Sequence, residues 1–328
     1  MDSPWYMAAL ADTFLLLWHE LGWPLIRLLL FISVGLIAAG FIEALNWTRK
    51  MSVAAAPMIR FGRLSDLTGA AFSMAFFSGV AANTMLSEAY EKKKISKKEL
   101  VLANMFNSLP TYFLHLPTTF FITVPLIRGA AFIYIGLTLG AALLRTLAIT
   151  VLSRFLLAGR QTAGKQVQNT AEKISIREAG QRTVLRFKKR IRKIIRFTVP
   201  IYVVFFALSE AGMFQLLKDT LAARLTFLAW LSPQAVSIIA LQVAAEFTAG
   251  LVAAGALLQD GSMSNEAVIL TLLIGNVLSS PIRAVRHQFP YYAGIFKPRL
   301  AMQLILFSQT FRAVSIALVA LGYFFIML

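Results

Sequence analysis

The 328-residue chain is 58% hydrophobic and only 14% charged, and its mean hydropathy is +0.70, so a water-soluble globular domain, with about 25% charged residues, is excluded. Its net charge of +17 is gathered in a few loops, which is the pattern of cytoplasmic loop bias and not of nucleic-acid binding. There is no cysteine, so disulfides, thiolate metal ligands and cysteine-attached haem are excluded as well.

The length accommodates roughly six to eight spans of about 20 residues. Residues 1–23 are apolar around Trp5 and Trp18 but carry Asp12, His19 and Glu20. They are read as a helix lying at the membrane surface, with a full span as the alternative. No positive segment precedes them, so no secretory signal is expected.

Residues 24–157 form a first unit. A span runs from Pro24 to about 47, with Arg27 near one end and Glu43 near the other. Residues 48–67 hold Arg49, Lys50, Arg60 and Arg63 and are read as a cytoplasmic surface segment. A run rich in Gly, Ala, Ser, Thr and Asn follows, including Asn83 and Thr84, and turns over through Lys92, Lys93, Lys94, Lys97 and Lys98. With basic sequence on both sides, this run enters and leaves on one face, as a re-entrant or broken helix. Residues 99–127 then cross the membrane, carrying Asn104 and Asn107 and broken by Pro110 and Pro117 around His115. Residues 130–157 return with Arg145 mid-span.

Residues 158–196 are densely basic. Their second half places Val184, Leu185, Phe187, Ile191, Ile194 and Ile195 at helical spacing, which fits a helix on anionic lipid headgroups. A solvated linker held inside by its charge is the other reading. Residues 197–328 form a second unit: a span with Glu210, a second small-residue segment with Glu246, a tip at 259–266 with Asp260 and Glu266, a crossing with Asn276, Ser279, Ser280, Pro281 and Arg283, and a last span with Gln309 and Arg312.

The units match in order. Glu43 pairs with Glu210 and Arg145 with Arg312 at the same spacing, while 77–110 pairs with 247–281. Rare charged residues in the same order are poorly explained by chance. One tip is basic and its counterpart acidic, so the two lie on opposite sides of the membrane. The expected fold is an all-α polytopic membrane protein with two inverted repeats. Each repeat has about three transmembrane helices and one re-entrant hairpin. Both termini are expected outside and the basic linker in the cytoplasm, at the cytoplasmic membrane.

At the two hairpins, Phe77-Ser78-Gly79-Val80-Ala81-Ala82-Asn83 through Asn107-Ser108-Leu109-Pro110 and residues 247–281, the sequence resembles the Gate-domain, or nucleoside-recognition, family of membrane proteins. That family includes the membrane parts of concentrative nucleoside transporters, of the ferrous-iron permease and of spore-maturation proteins. The resemblance implies a transport-type pore without fixing a substrate. The chain has no G-x-x-x-x-G-K-[ST] loop for the iron permease's GTPase and no cysteine to line an iron path, which weighs against iron transport.

A mid-membrane arginine costs at least about 2.5 kcal/mol and needs a partner, water or an anion. Arg145 and Arg312 therefore either line a site for an anionic or polar solute or pair structurally with Glu43 and Glu210. Asn83, Thr84, Asn104, Asn107, Asn276, Ser279 and Ser280 sit on or beside the broken helices, where they would bind solute or satisfy freed backbone groups. Glu246 breaks the symmetry. It is a candidate for ion or proton coupling, or for pairing with Arg283 or Arg286. His115 and His287 lack metal-ligand spacing, and no catalytic or nucleotide-binding arrangement is present. No cofactor, metal or enzymatic activity is expected. The expected partners are anionic lipid at the basic linker, a small solute and a second copy of the chain in a homo-oligomer. The function read from the sequence is passage of a small polar or anionic solute, nucleoside-like or other. A non-transporting scaffold or assembly subunit is the alternative.

Overall fold

The computed structural model describes residues 56–157, 176–211, 232–244 and 247–327, with 12–15, 17–23 and scattered positions up to 37. All regular structure among them is helical. Near the N-terminus, residues on both sides of position 24 are helical, and Trp18–Gly22 forms a π-helical turn. Twelve longer elements follow among the described residues. These are α1 (Ala56–Phe61), α2 (Asp66–Ala75), α3 (Gly79–Glu91), α4 (Lys97–Phe106), α5 (Ser108–Ile127) and α6 (Ala130–Leu156). After them come α7 (Ile176–Glu210), α8 (Pro233–Ala244), α9 (Phe247–Gln259), α10 (Asn265–Arg283), α11 (Phe289–Ile295) and α12 (Pro298–Met327).

Serine caps set many of these starts. The side chains of Ser65, Ser78, Ser96, Ser232 and Ser264 each accept a backbone N–H three residues on, satisfying a donor that the first helical turn leaves open. The start positions 66, 79, 97 and 130 recur at 233, 247, 265 and 298, that is, 167 or 168 residues later. The hairpin tips are built alike. Lys93 and Gly261 both take a positive φ, Ile95 and Met263 are both buried, and Ser96 and Ser264 both cap. A buried apolar residue just before the cap fixes the angle at which the chain enters the next helix.

The tips are held by the other half of the chain. Ser87 in α3 donates to the Ile295 carbonyl at 2.9 Å, at the turn before α12. A Cβ at Gly255 in α9 would stand 2.6 Å from the Leu126 carbonyl oxygen, at the turn before α6. Only glycine admits that approach. The first tip thus lies where α12 begins and the second where α6 begins, and α6 and α12 pack together. Leu156 and Leu157, at the far end of α6, share a surface cleft with Lys94 and Lys97 of the first tip. Phe72 and Phe106 pack at 4.4 Å between ring centroids in the core of the first half.

Among the described residues, three helices are long and apolar enough to cross a membrane: Ala130–Leu156, Asn265–Arg283 and Pro298–Met327. Two differences from the sequence reading bear on the site. The segment expected to break at Pro110 and Pro117 breaks instead at Asn107, between α4 and α5. Pro110 falls in the first turn of α5, where its missing N–H has no helical partner to lose, and Pro117 is carried inside the helix. The basic stretch 176–196 does not end before the next apolar run: α7 continues unbroken to Glu210. Phe187 and Ile191 of α7 pack against the core, while Val184, Leu185 and Ile195 stay exposed beside Arg177, Lys188 and Arg192.

Candidate functional site

A cavity of about 320 Å³ lies at the centre, where helices from both halves converge. The first residues of the two small-residue helices, Gly79 of α3 and Phe247 of α9, both face it. The break at Asn107 turns the chain so that the end of α4 and the start of α5 present successive polar residues to the same space.

Of the residues singled out in the sequence, Asn83, Asn104, Asn107, Asn276, Arg145 and Arg312 all line this cavity. Thr84 does not; it is exposed and its hydroxyl donates to the Val80 carbonyl in its own helix. Ser279 and Ser280 are buried behind the wall, donating to the Asn276 carbonyl and to Gln309. Glu43 and Glu246 lie outside the described residues, as do the side chains of Glu210 and His287.

Two polar clusters organise the walls. In the first, Asn104 Nδ2 donates to Asn83 Oδ1 at 2.9 Å and to Tyr292 Oη at 3.0 Å, tying α3 and α4 to α11. In the second, Asn276 Oδ1 accepts from Arg283 Nη2 at 2.8 Å and from Arg312 Nη2 at 3.4 Å. Asn276 Nδ2 reaches Tyr134 Oη at 3.3 Å. Arg145 donates from Nε to Ser108 Oγ at 3.1 Å and from Nη1 to Ser315 Oγ at 2.9 Å, and Ser315 in turn donates to the Arg312 carbonyl. Arg145 and Arg312, 167 residues apart, each donate to a polar residue of their own half: Ser108, at the start of α5 after the break, and Asn276, inside the unbroken α10.

All of these arginine contacts are to neutral oxygens. Among the described residues no carboxylate lines the cavity, and one salt bridge is present, Lys92 to Glu88 at the first tip, 3.2 Å long and exposed. Three guanidinium groups therefore face one small space. The Asn107 side-chain amide is buried there with neither its oxygen nor its nitrogen bonded, and Asn104 Oδ1 is likewise without a partner. Buried polar groups are bonded in the large majority of cases, so an orphaned amide on a cavity wall is an open position.

Sequence reasoning missed Arg283, Tyr134 and Tyr292 as wall residues. Arg283 had a signal, since it lies seven residues, or two helical turns, after Asn276 and so shares its face. The tyrosines had none, because an aromatic residue in an apolar helix reads as core. Among the described residues no group of three or more His, Asp or Glu side chains gathers at one place.

No family model matches the sequence, and no solved structure matches it significantly. Three curated proteins of Methanocaldococcus jannaschii do. The uncharacterized protein MJ0871 is 26% identical over 86% of this chain and 87% of its own. The uncharacterized protein MJ1556 is 26% identical over 93% and 94%, and the uncharacterized protein MJ0880 is 23% identical over 87% and 92%. The chain is thus similar, along nearly its whole length, to archaeal proteins of matching size.

Proposed function

We propose that this protein is a membrane permease that passes a small polar or anionic solute through the central cavity. The observation that carries the reading is convergence: six polar residues from both halves, picked out as oddities in apolar sequence, line one cavity. A scaffold would pack such groups dry and partnered, whereas here an entire amide is left open.

The architecture behind this reading is an inverted repeat. Its supports are the 167- or 168-residue recurrence of helix starts, the matched tips, and the attachment of each tip to the turn preceding the other half's long span. In this arrangement 77–110 enters from the cytoplasm and 247–281 from outside, with the solute between them. The exposed apolar side chains of α6 and α12, such as Phe132, Leu147, Phe155, Leu306, Leu318 and Phe325, face lipid. The basic N-terminal part of α7 lies at the cytoplasmic face against anionic headgroups.

The test is flux. Purified protein is reconstituted in liposomes loaded with a panel of labelled small anions and polar neutral solutes. Protein-dependent flux of at least one, reduced by substitution of Asn107 or Arg312, is expected. Folded protein that moves none of them would overturn the proposal.

A further inference from the structure

We propose that the cavity binds a compact dianionic oxyanion: a phosphoryl group, either free as inorganic phosphate or at the end of a small phosphate monoester. The proposal rests on the permease reading for its biological setting, while the binding itself rests on the arginine geometry.

Charge comes first. Arg145, Arg283 and Arg312 reach the cavity from three helices, and among the described residues no carboxylate lines it. Their hydrogen-bond partners, Ser108, Ser315 and Asn276, are neutral, so among the described residues none offsets the positive charge. A neutral solute would not offset it, and a monoanion would offset a third of it.

Compactness comes second. Arg283 and Arg312 donate to the same atom, Asn276 Oδ1, at 2.8 and 3.4 Å. Arg145 joins them through Ser315, one turn from Arg312 on the same helix. The charges of Arg283 and Arg312 thus meet at one atom, and Arg145 faces the same cavity. A dicarboxylate divides its charge between two groups held apart by a carbon chain, and only one of them can meet the Arg283 and Arg312 pair. A tetrahedral phosphoryl head places its charge and its three terminal oxygens in one spot, and the planar fork of guanidinium suits those oxygens. The unbonded Asn107 Nδ2 adds a neutral donor on the wall.

Room comes third. At about 320 Å³ the cavity is near the lower end of the roughly 300–1,000 Å³ typical of small-molecule sites, enough for a head and a short body. Tyr134 and Phe247, stacked with centroids 6.0 Å apart, supply apolar wall for that body.

The full-length protein in detergent is titrated by calorimetry with inorganic phosphate, glycerol 3-phosphate, sulfate, succinate, chloride and glycerol. At pH 8 both phosphoryl ligands are expected to bind at least tenfold more tightly than succinate or chloride, with no binding of glycerol. At pH 5 a phosphate monoester, whose second pKa is about 6, loses a charge, while sulfate keeps both. Among the described residues, the other titratable or charged groups facing the space are His115 and Tyr112 on α5, Tyr134 and Arg145 on α6, Arg283 on α10, Tyr292 on α11 and Arg312 on α12. Any protonation of these acts on sulfate and phosphate alike, so the affinity for glycerol 3-phosphate relative to sulfate should fall at least fivefold. Arg283→Gln should weaken phosphoryl binding at least tenfold and Arg283→Lys by less. If Arg283→Gln does not fold, the pH comparison on the natural protein decides. Equal binding of glycerol and glycerol 3-phosphate, tighter binding of succinate, or a pH-independent ratio to sulfate would each overturn the proposal. Tighter binding of free phosphate or of the ester supports it and assigns the form. Phosphoryl binding without any flux would leave this inference standing and remove the permease reading.

Discussion

Replacing Asn276 by aspartate changes one NH₂ group to an oxygen and adds one negative charge at the point where two guanidinium groups meet. The two nitrogens donating to Asn276 Oδ1 are no more than about 6 Å apart. At an effective dielectric constant of about 20, two like charges at that distance repel by about 3 kcal/mol, and a carboxylate at about 3 Å from one guanidinium attracts it by about 5 kcal/mol. Burying the new carboxylate costs several kcal/mol in return. The balance favours Asn276→Asp by about 1–3 kcal/mol, because the charge it meets is already desolvated. At about 2–4 °C per kcal/mol for chains of 150–250 residues, the melting temperature should rise by several degrees, read from intrinsic fluorescence in detergent. The same substitution fills the anion position with a fixed charge, so phosphoryl binding should drop at least tenfold. Tyr134 can turn its hydroxyl to donate to the new carboxylate, so the wall is otherwise kept. A fall in melting temperature would refute the reasoning: it would mean that the arginines are already neutralised by carboxylates and that the introduced acid is one too many.

Asn107→Leu should reduce solute flux at least tenfold while leaving the melting temperature equal or higher, since an unbonded buried amide costs about 1–3 kcal/mol; a marked loss of stability would show that the amide is bonded. Gly255→Ala should destabilise the protein despite the helix preference of alanine of about 1 kcal/mol, because its methyl group would meet the Leu126 backbone. Ser87→Ala, at the matching contact, should cost about 1 kcal/mol for one lost hydrogen bond, and chemical or thermal unfolding compares the two. Since the chain has no cysteine, Lys94→Cys and Ser262→Cys each carry a single exposed thiol. A membrane-impermeant thiol reagent should label them from opposite sides of sealed vesicles; labelling from the same side would contradict the inverted arrangement.

The helical class, and helices long and apolar enough to cross a membrane, were legible in composition, because an apolar chain with charge confined to loops has few other solutions. The site was legible wherever a residue was expensive where it stood. Arg145 and Arg312 stand out in any apolar helix, and Asn83, Asn104, Asn107 and Asn276 stand out among Gly, Ala and Leu. What failed was direction. Asn83 and Thr84 are neighbours, and adjacent residues on a helix point about 100° apart, so only one could face the cavity. The structure turns Thr84 outward. Prolines misled as well: position within a helix decides whether a proline breaks it, and Pro110 stands where its missing donor does no harm. Arg283 was visible but was named only as one alternative partner, with Arg286, for Glu246, because sequence gives no depth and hence no way to see that it shares an oxygen with Arg312.

The crossed attachment of the tips has a consequence for the order of assembly. The apolar packing around the first hairpin joins Ala71, Leu86, Ile95, Leu100 and Ala103 to Tyr292, Phe296, Ala301, Leu304 and Ile305. Half of that cluster belongs to residues synthesised about two hundred positions later. A nascent chain that has made only its first half holds a hairpin packed on α2 but lacking half of this cluster. That face of the hairpin is completed only when α11 and α12 arrive. Ribosome-bound chains stopped before residue 290 should therefore expose that hairpin to protease, and chains released past residue 305 should protect it.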